Sequence, residues 1–170
     1  MAGGIEIRIE LEENVSAALG RAIVAGTDLT PAMQQIANRL AAATRLRFEN
    51  ERGPDGKPWR PSRRAIEDGG QTLTDRGDLK GSIRPDWGPD YAAAGPERSG
   101  GAAIYAAIHQ FGGKITPRKG KALSFGGKLF ASVTMPARPY LGFDEADRSA
   151  IVGILSDHLG DAFSGRSARP

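Results

Sequence analysis

The sequence predicts an α+β domain: two longer helices, 31–51 and 144–163, packed on a small, mostly antiparallel sheet, with long irregular loops or arms between the elements. Three observations predict it. The stretch "IEIRIEL" alternates strictly, with Ile5, Ile7, Ile9 and Leu11 on one side and Glu6, Arg8 and Glu10 on the other, as in a half-buried strand. Behind Thr30-Pro31, the residues Met33, Ile36, Ala37, Leu40, Ala41, Thr44 and Phe48 keep the 3-and-4 spacing of a helix with one buried stripe. The 23 glycines and 11 prolines among 170 residues imply long irregular connections.

In chain order, the strand at 4–12 comes first and a short helix from Val15 to Ala25 follows. Thr30 then acts as N-cap with Pro31 at the first helical position, where its missing N–H costs nothing. Arg39, Arg45, Arg47 and Glu49 fall off the buried stripe of the long helix. "ERGPDGKPWRP" stops that helix, because Pro54, Pro58 and Pro61 forbid continuation while Gly53 and Gly56 permit positive φ. Trp59, extended between two prolines, anchors onto the core or a neighbour. "LTDRGDLKGSI" reads as a turn and a short helix with Leu79 and Ile83 inward.

Short strands follow at Ile83 to Trp87 and Tyr91 to Gly95, then a helix from Ala102 to Phe111 ended by Gly112-Gly113. "ALSFGGKLFASVTM" reads as a hairpin around Gly126-Gly127, so that 121–135 joins the sheet with 4–12. The last helix carries Ile151, Ile154, Leu155, His158, Leu159 and Ala162 inward. By length this is one domain, 1–163, with a flexible tail at 164–170.

Composition narrows the function classes. Hydrophobic residues make up 39% and charged residues 25%, ordinary for a globular protein in water. The N-terminus lacks a signal-peptide core and no run approaches the ~20 apolar residues of a spanning helix, so synthesis into the cytosol without membrane contact is expected. With no cysteine there is neither a disulfide nor a thiolate site. Net charge is +3, but its distribution is uneven. Residues 113–142 hold six bases (Lys114, Arg118, Lys119, Lys121, Lys128, Arg138) and no acid, while 144–161 hold five acids and only Arg148. Such opposed faces suit head-to-tail self-association; the plain alternative is solvated surface charge.

Chemistry-bearing groups are thin. His109 stands near a helix end with no second titratable group placed beside it, and His158 falls on an apolar stripe. With no His or Cys companions, a metal site is not expected. "GKITPRKGKA" fails as a phosphate loop because Ala122 follows Lys121. No catalytic residue and no cofactor are expected.

Four segments in order carry a resemblance: "PDGKPW" (54–59), "LTDRGDLKGSI" (73–83), "YAAIHQFGG" (105–113) and "MPARPYLG" (135–142). Together they resemble the phage virion morphogenesis, or tail completion, family of Mu-like and related tailed phages. Tyr140 stands where that pattern often has phenylalanine. The resemblance implies a structural protein of the neck or tail top, without catalytic residues, that acts when filled heads join tails. Its implied partners are further copies of itself, the tail tube and the head–tail connector. Because tail tubes of this class are sixfold, it implies a hexameric ring.

His109 then serves as a positional residue. Trp59, Arg118, Lys119, Lys121, Arg138 and Tyr140 are the interface candidates, with 53–64 and 113–128 as arms that order on assembly. The basic stretch would reach a neighbour or line a lumen near passing genomic DNA. Two rivals stand beside this reading. A nucleic-acid-binding module would show salt-sensitive DNA binding; a small hydrolase or nuclease would lose function on His109→Ala.

Overall fold

The computed structural model describes residues 13–97, 102–117, 122–125 and 128–165. The expected strand at 4–12, the Gly126-Gly127 turn, Arg118, Lys119, Lys121 and the last five residues lie outside them. The first half of the described chain runs α1 (Glu13–Thr27), α2 (Thr30–Asn50), α3 (Arg63–Asp68), α4 (Asp78–Gly81), β1 (Ile83–Trp87) and β2 (Ala92–Pro96). The second half runs α5 (Ala102–Phe111), β3 (Gly113–Ile115), β4 (Leu123–Phe125), β5 (Lys128–Phe130), β6 (Val133–Met135) and α6 (Glu145–Ser164). The class is α+β, as the sequence predicts.

The central element is α2. Ala32, Ile36, Ala37, Leu40, Ala41, Thr44 and Phe48 are buried along it, the stripe read from the sequence with Ala32 in place of Met33. Its start differs in one detail. Leu29 takes the N-cap position without a side-chain bond, Thr30 is the first helical residue, and the Asp28 carboxylate accepts from the Thr30 N–H at 3.0 Å. On one side α2 covers the antiparallel β1–β2 pair; on the other it meets α6, and α6 in turn packs against α1. The α1–α6 contact is antiparallel: Arg21 donates to the Ala162 and Phe163 carbonyls, while His158 Nε2 lies 3.1 Å from the Ala25 oxygen.

The sheet differs from the sequence expectation. Among the described residues there are three separate two-stranded pairs, β1–β2, β3–β6 and β4–β5. Leu123–Phe125 pairs antiparallel with Lys128–Phe130, but the second strand breaks near Ala131. Val133 to Met135 turns away to pair with Gly113 to Ile115. The layer under α2 is therefore 83–96 rather than 121–135. A strand pairs wherever a hydrogen-bonding edge and an apolar face coincide, and alternation alone does not say which edge. The last helix likewise rests on helices instead of a sheet, and Leu159, placed on its inner stripe by spacing, is 41% exposed.

Candidate functional site

The four motif segments meet at one place, around the C-terminal end of α2. There Glu51 takes a left-handed backbone (φ 51°) and ends the helix, and its carbonyl accepts from the Trp59 N–H at 2.7 Å. Between them lies a tight turn. Gly56 N–H donates to the Gly53 carbonyl at 3.0 Å, and the Asp55 carboxylate accepts from the Lys57 N–H at 3.1 Å. This turn delivers Trp59 edge-on to Phe48, with ring centres 5.5 Å apart. Phe48 also meets Tyr140 at 5.2 Å, and such aromatic contacts contribute about 0.5–1.5 kcal/mol each beyond area burial.

The 136–142 segment has no regular secondary structure and bends at 141–142, so its backbone groups need partners that no sheet supplies. The other motifs supply them. Trp59 Nε1 donates to the Pro139 carbonyl at 2.8 Å. The Gln110 side-chain carbonyl accepts from both Tyr140 N–H and Leu141 N–H at 3.0 Å, and its amide donates to the Leu141 carbonyl at 3.0 Å. Arg138 N–H donates to the His109 carbonyl at 2.7 Å. The Arg138 guanidinium turns inward to the Arg60 carbonyl at 2.7 Å. Tyr140 Oη donates to the Ala106 carbonyl at 3.2 Å, and burial pushes this phenol up to about 12, so it stays a neutral donor.

Gly112 explains why "FGG" stands opposite "PAR". It has φ 68° and donates to the Ile108 carbonyl, ending α5. A Cβ there would lie 2.6 Å from the Ala137 nitrogen and 2.9 Å from the Met135 oxygen. Only glycine lets these two backbones touch.

Arg47 fixes the other end of the segment. Its guanidinium donates to the Gly142 carbonyl at 2.9 Å, to Asp144 at 3.2 Å and to Asp147 in a short ion pair, with Arg47 and Asp147 both buried. Asp144 and Asp147 also form the capping box that starts α6. The sequence reading missed Arg47, placing it off the buried stripe, and did not single out Gln110 or Asp147. A signal existed for Arg47: it lies seven residues after Leu40 and three after Thr44, on the inward face.

The interface candidates divide. Trp59, Arg138 and Tyr140 are 6%, 4% and 1% exposed, and all their named bonds run to the backbone of the same subunit. Arg118, Lys119 and Lys121 lie outside the described residues. The 53–64 segment is not a free arm: Trp59 and the Arg60 carbonyl tie its middle to 138–139, and Ser62 caps α3. The charge contrast also narrows, because Asp144 and Asp147 already meet Arg47 inside the subunit.

His109 is half-buried, and desolvation, then the charge of Arg138, hold its imidazole below the ordinary histidine range. Its ring packs edge-on against Tyr105 with centres 5.8 Å apart. Its Nδ1 is buried without a hydrogen-bond partner among the described residues, and the group that positions backbone is the His109 carbonyl, which accepts from Arg138 N–H. His158 Nε2 sits between the Ala25 and Asp28 carbonyls, a satisfied partly buried histidine. Among the described residues no cluster of three or more His, Cys, Asp or Glu suits a metal ion, and no helix is long and apolar enough to cross a membrane.

Exposed apolar side chains lie elsewhere. Phe111 and Leu129 are 78% and 76% exposed, and α1 and α6 present Ile23, Val24 and Val152 to the outside. A shallow groove of about 230 Å³ runs between β2 and 141–143, floored by Leu40 and Thr44.

Comparison with known proteins agrees with the motif reading. The model of the phage virion morphogenesis family matches residues 11–160. The chain is 34% identical over 140 residues to "Putative capsid assembly protein G" of Escherichia phage Mu, covering 75% of this chain and 77% of that protein. It is 29% identical over 155 residues to "Mu-like prophage FluMu G protein 2" of Haemophilus influenzae, covering 91% and 96%. No solved structure matches.

Proposed function

This chain belongs to the phage virion morphogenesis family, a family of structural assembly proteins, and we propose that it acts at the head–tail junction as a tail-completion ring through which filled heads join tails. The observation that carries the structural part of the reading is the clasp itself. Trp59, Gln110, Arg138 and Tyr140, the polar and aromatic residues of the family-like motifs, all act on the backbone of their own subunit. A site built for substrate would instead aim such groups into a cleft. The subunit thus holds a preformed 136–142 segment and leaves apolar side chains exposed on α1, α6, Phe111 and Leu129.

Within this reading the protein has no catalytic role, forms a ring of six copies at the tail top or neck, and meets the tail tube on one side and the head connector on the other. Segment 113–142, basic in sequence, faces the next subunit or the lumen where genomic DNA passes. Electron microscopy of lysates from phage lacking this gene product tests the placement. Filled heads beside free, finished tails are expected. The Mu relative's printed name points to capsid assembly, so absent or unfinished heads would move the role to the capsid and overturn the junction reading.

A further inference from the structure

The two free edges of the β1–β2 pair are unlike each other. In an antiparallel pair, alternate residues turn their N–H and C=O groups towards the partner and away from it. Gly88 N–H donates to the Tyr91 carbonyl and Glu97 N–H to the Ser82 carbonyl, which fixes the phase. With the register Ile83↔Pro96 to Trp87↔Ala92, the outward-turned residues are Ile83, Pro85 and Trp87 on β1 and Ala92, Ala94 and Pro96 on β2.

The outer edge of β1 is blunted. Pro85 has no N–H to offer, and the Ile83 carbonyl already accepts from Arg45 Nη2 at 2.6 Å. The outer edge of β2 is open over Ala92 and Ala94, with Pro96 closing its end. Ala92 and Ala94 turn their N–H and C=O groups away from β1, and no described strand pairs with them there. That edge is one wall of the groove floored by Leu40 and Thr44, with Leu141, Gly142 and the 53%-exposed Phe143 opposite. An unpaired strand edge beside an apolar floor, walled by alanines that let another backbone approach, is a receptor for an extended chain.

We propose that this groove receives residues 5–11 of a second copy of the chain as a third strand beside β2. The occupant fits in pattern. "IEIRIEL" would turn Ile5, Ile7, Ile9 and Leu11 inward, with two of them over Leu40 and Thr44, about 6 Å apart on α2, and leave Glu6, Arg8 and Glu10 in water. It cannot come from the same copy. The 20 residues of α6 lead away from Asp144, beside the groove, over about 30 Å to the end that Arg21 meets. From Arg21, antiparallel α1 continues about 12 Å further to Glu13. Even allowing for the length of the groove, Glu13 starts more than about 30 Å from it. The chain from Glu13 back to Ile5 covers at most about 28 Å, all of it consumed as linker. Donation to a neighbour is heterologous, since each copy gives a strand at one end and takes one at the other, and such contacts close a ring. The exchange rests on the ring reading for its closure alone.

The absence of cysteine makes the test direct. Three donors, Glu6→Cys, Arg8→Cys and Glu10→Cys, place a thiol on the outer side of the donated strand. The acceptor Ala93→Cys places one on the exposed side of β2. Each donor is mixed with the acceptor at high protein concentration under mild oxidation and run on a denaturing gel. We expect a mixed dimer with one donor position preferred. A chain carrying that donor and Ala93→Cys together should give ladders of linked chains, lost when Ala94→Pro removes an outward N–H. A link within single chains would overturn the exchange. So would no link with any donor, or ladders indifferent to Ala94→Pro in a variant that keeps its melting temperature. Each failure leaves the head–tail role to its own microscopy.

Discussion

At the residue scale, His109 joins a backbone contact to a desolvated titratable ring. Its carbonyl holds Arg138, and its half-buried ring resists protonation through desolvation and the neighbouring guanidinium. The folded pKa is therefore lower than the unfolded value of 6.5. Below that value the unfolded chain binds a proton that the folded chain refuses, so stability falls as pH drops through the mildly acidic range. Thermal melts between pH 7.5 and 5.5 should show wild type losing stability toward the acid end. His109→Asn, which cannot titrate, should show a flatter profile. Parallel profiles would mean the ring is not desolvated. That Arg138, held between Ala137 and Pro139, reaches a backbone carbonyl was legible; that the carbonyl belongs to Arg60 of the same subunit was not, because a basic residue there reads equally as an arm to a neighbour.

At the scale of elements, the long helix was legible because its stripe repeats for 21 residues and one buried face suffices to define it. The strands Ile83–Trp87 and Ala92–Pro96 were legible to within a residue, but which strands form the layer under α2 was not, because strands of three to five residues are too short for a period to establish pairing. What fixes β2 is the α2 surface beneath it, a tertiary fact. The α2–α6 junction makes an equally non-local demand: Arg47 and Asp147 lie 100 residues apart and are buried together. Breaking such a pair leaves a buried charge, so Asp147→Asn should cost about 3 kcal/mol, toward the low end because Gly142 and Asp144 still accept from Arg47. For a chain of this length that lowers the melting temperature by about 10 °C. Arg148→Ala, on the exposed side of the same turn, should change it by less than about 2 °C. Equal effects of the two substitutions would mean the junction is not a buried contact.

At the scale of the whole molecule, the α+β class and the family were both readable, the class from two helical stripes and the family from four weak motifs in one order. The structure adds why those motifs go together: 54–59 and 105–113 supply bonds to the 136–142 backbone, and 73–83 packs Leu79 and Ile83 into the same core. Their bonds run within one subunit and say nothing of what the protein touches in assembly. The most direct test of the joining role is reconstitution. Extracts of phage lacking this gene product are separated into filled heads and finished tails, mixed, and supplemented with purified protein, and infectious particles are counted. Infectivity should rise in proportion to added protein, and His109→Ala protein should restore it as well as wild type. Infectivity that returns only when the protein is present while heads are being built would contradict a role at the junction.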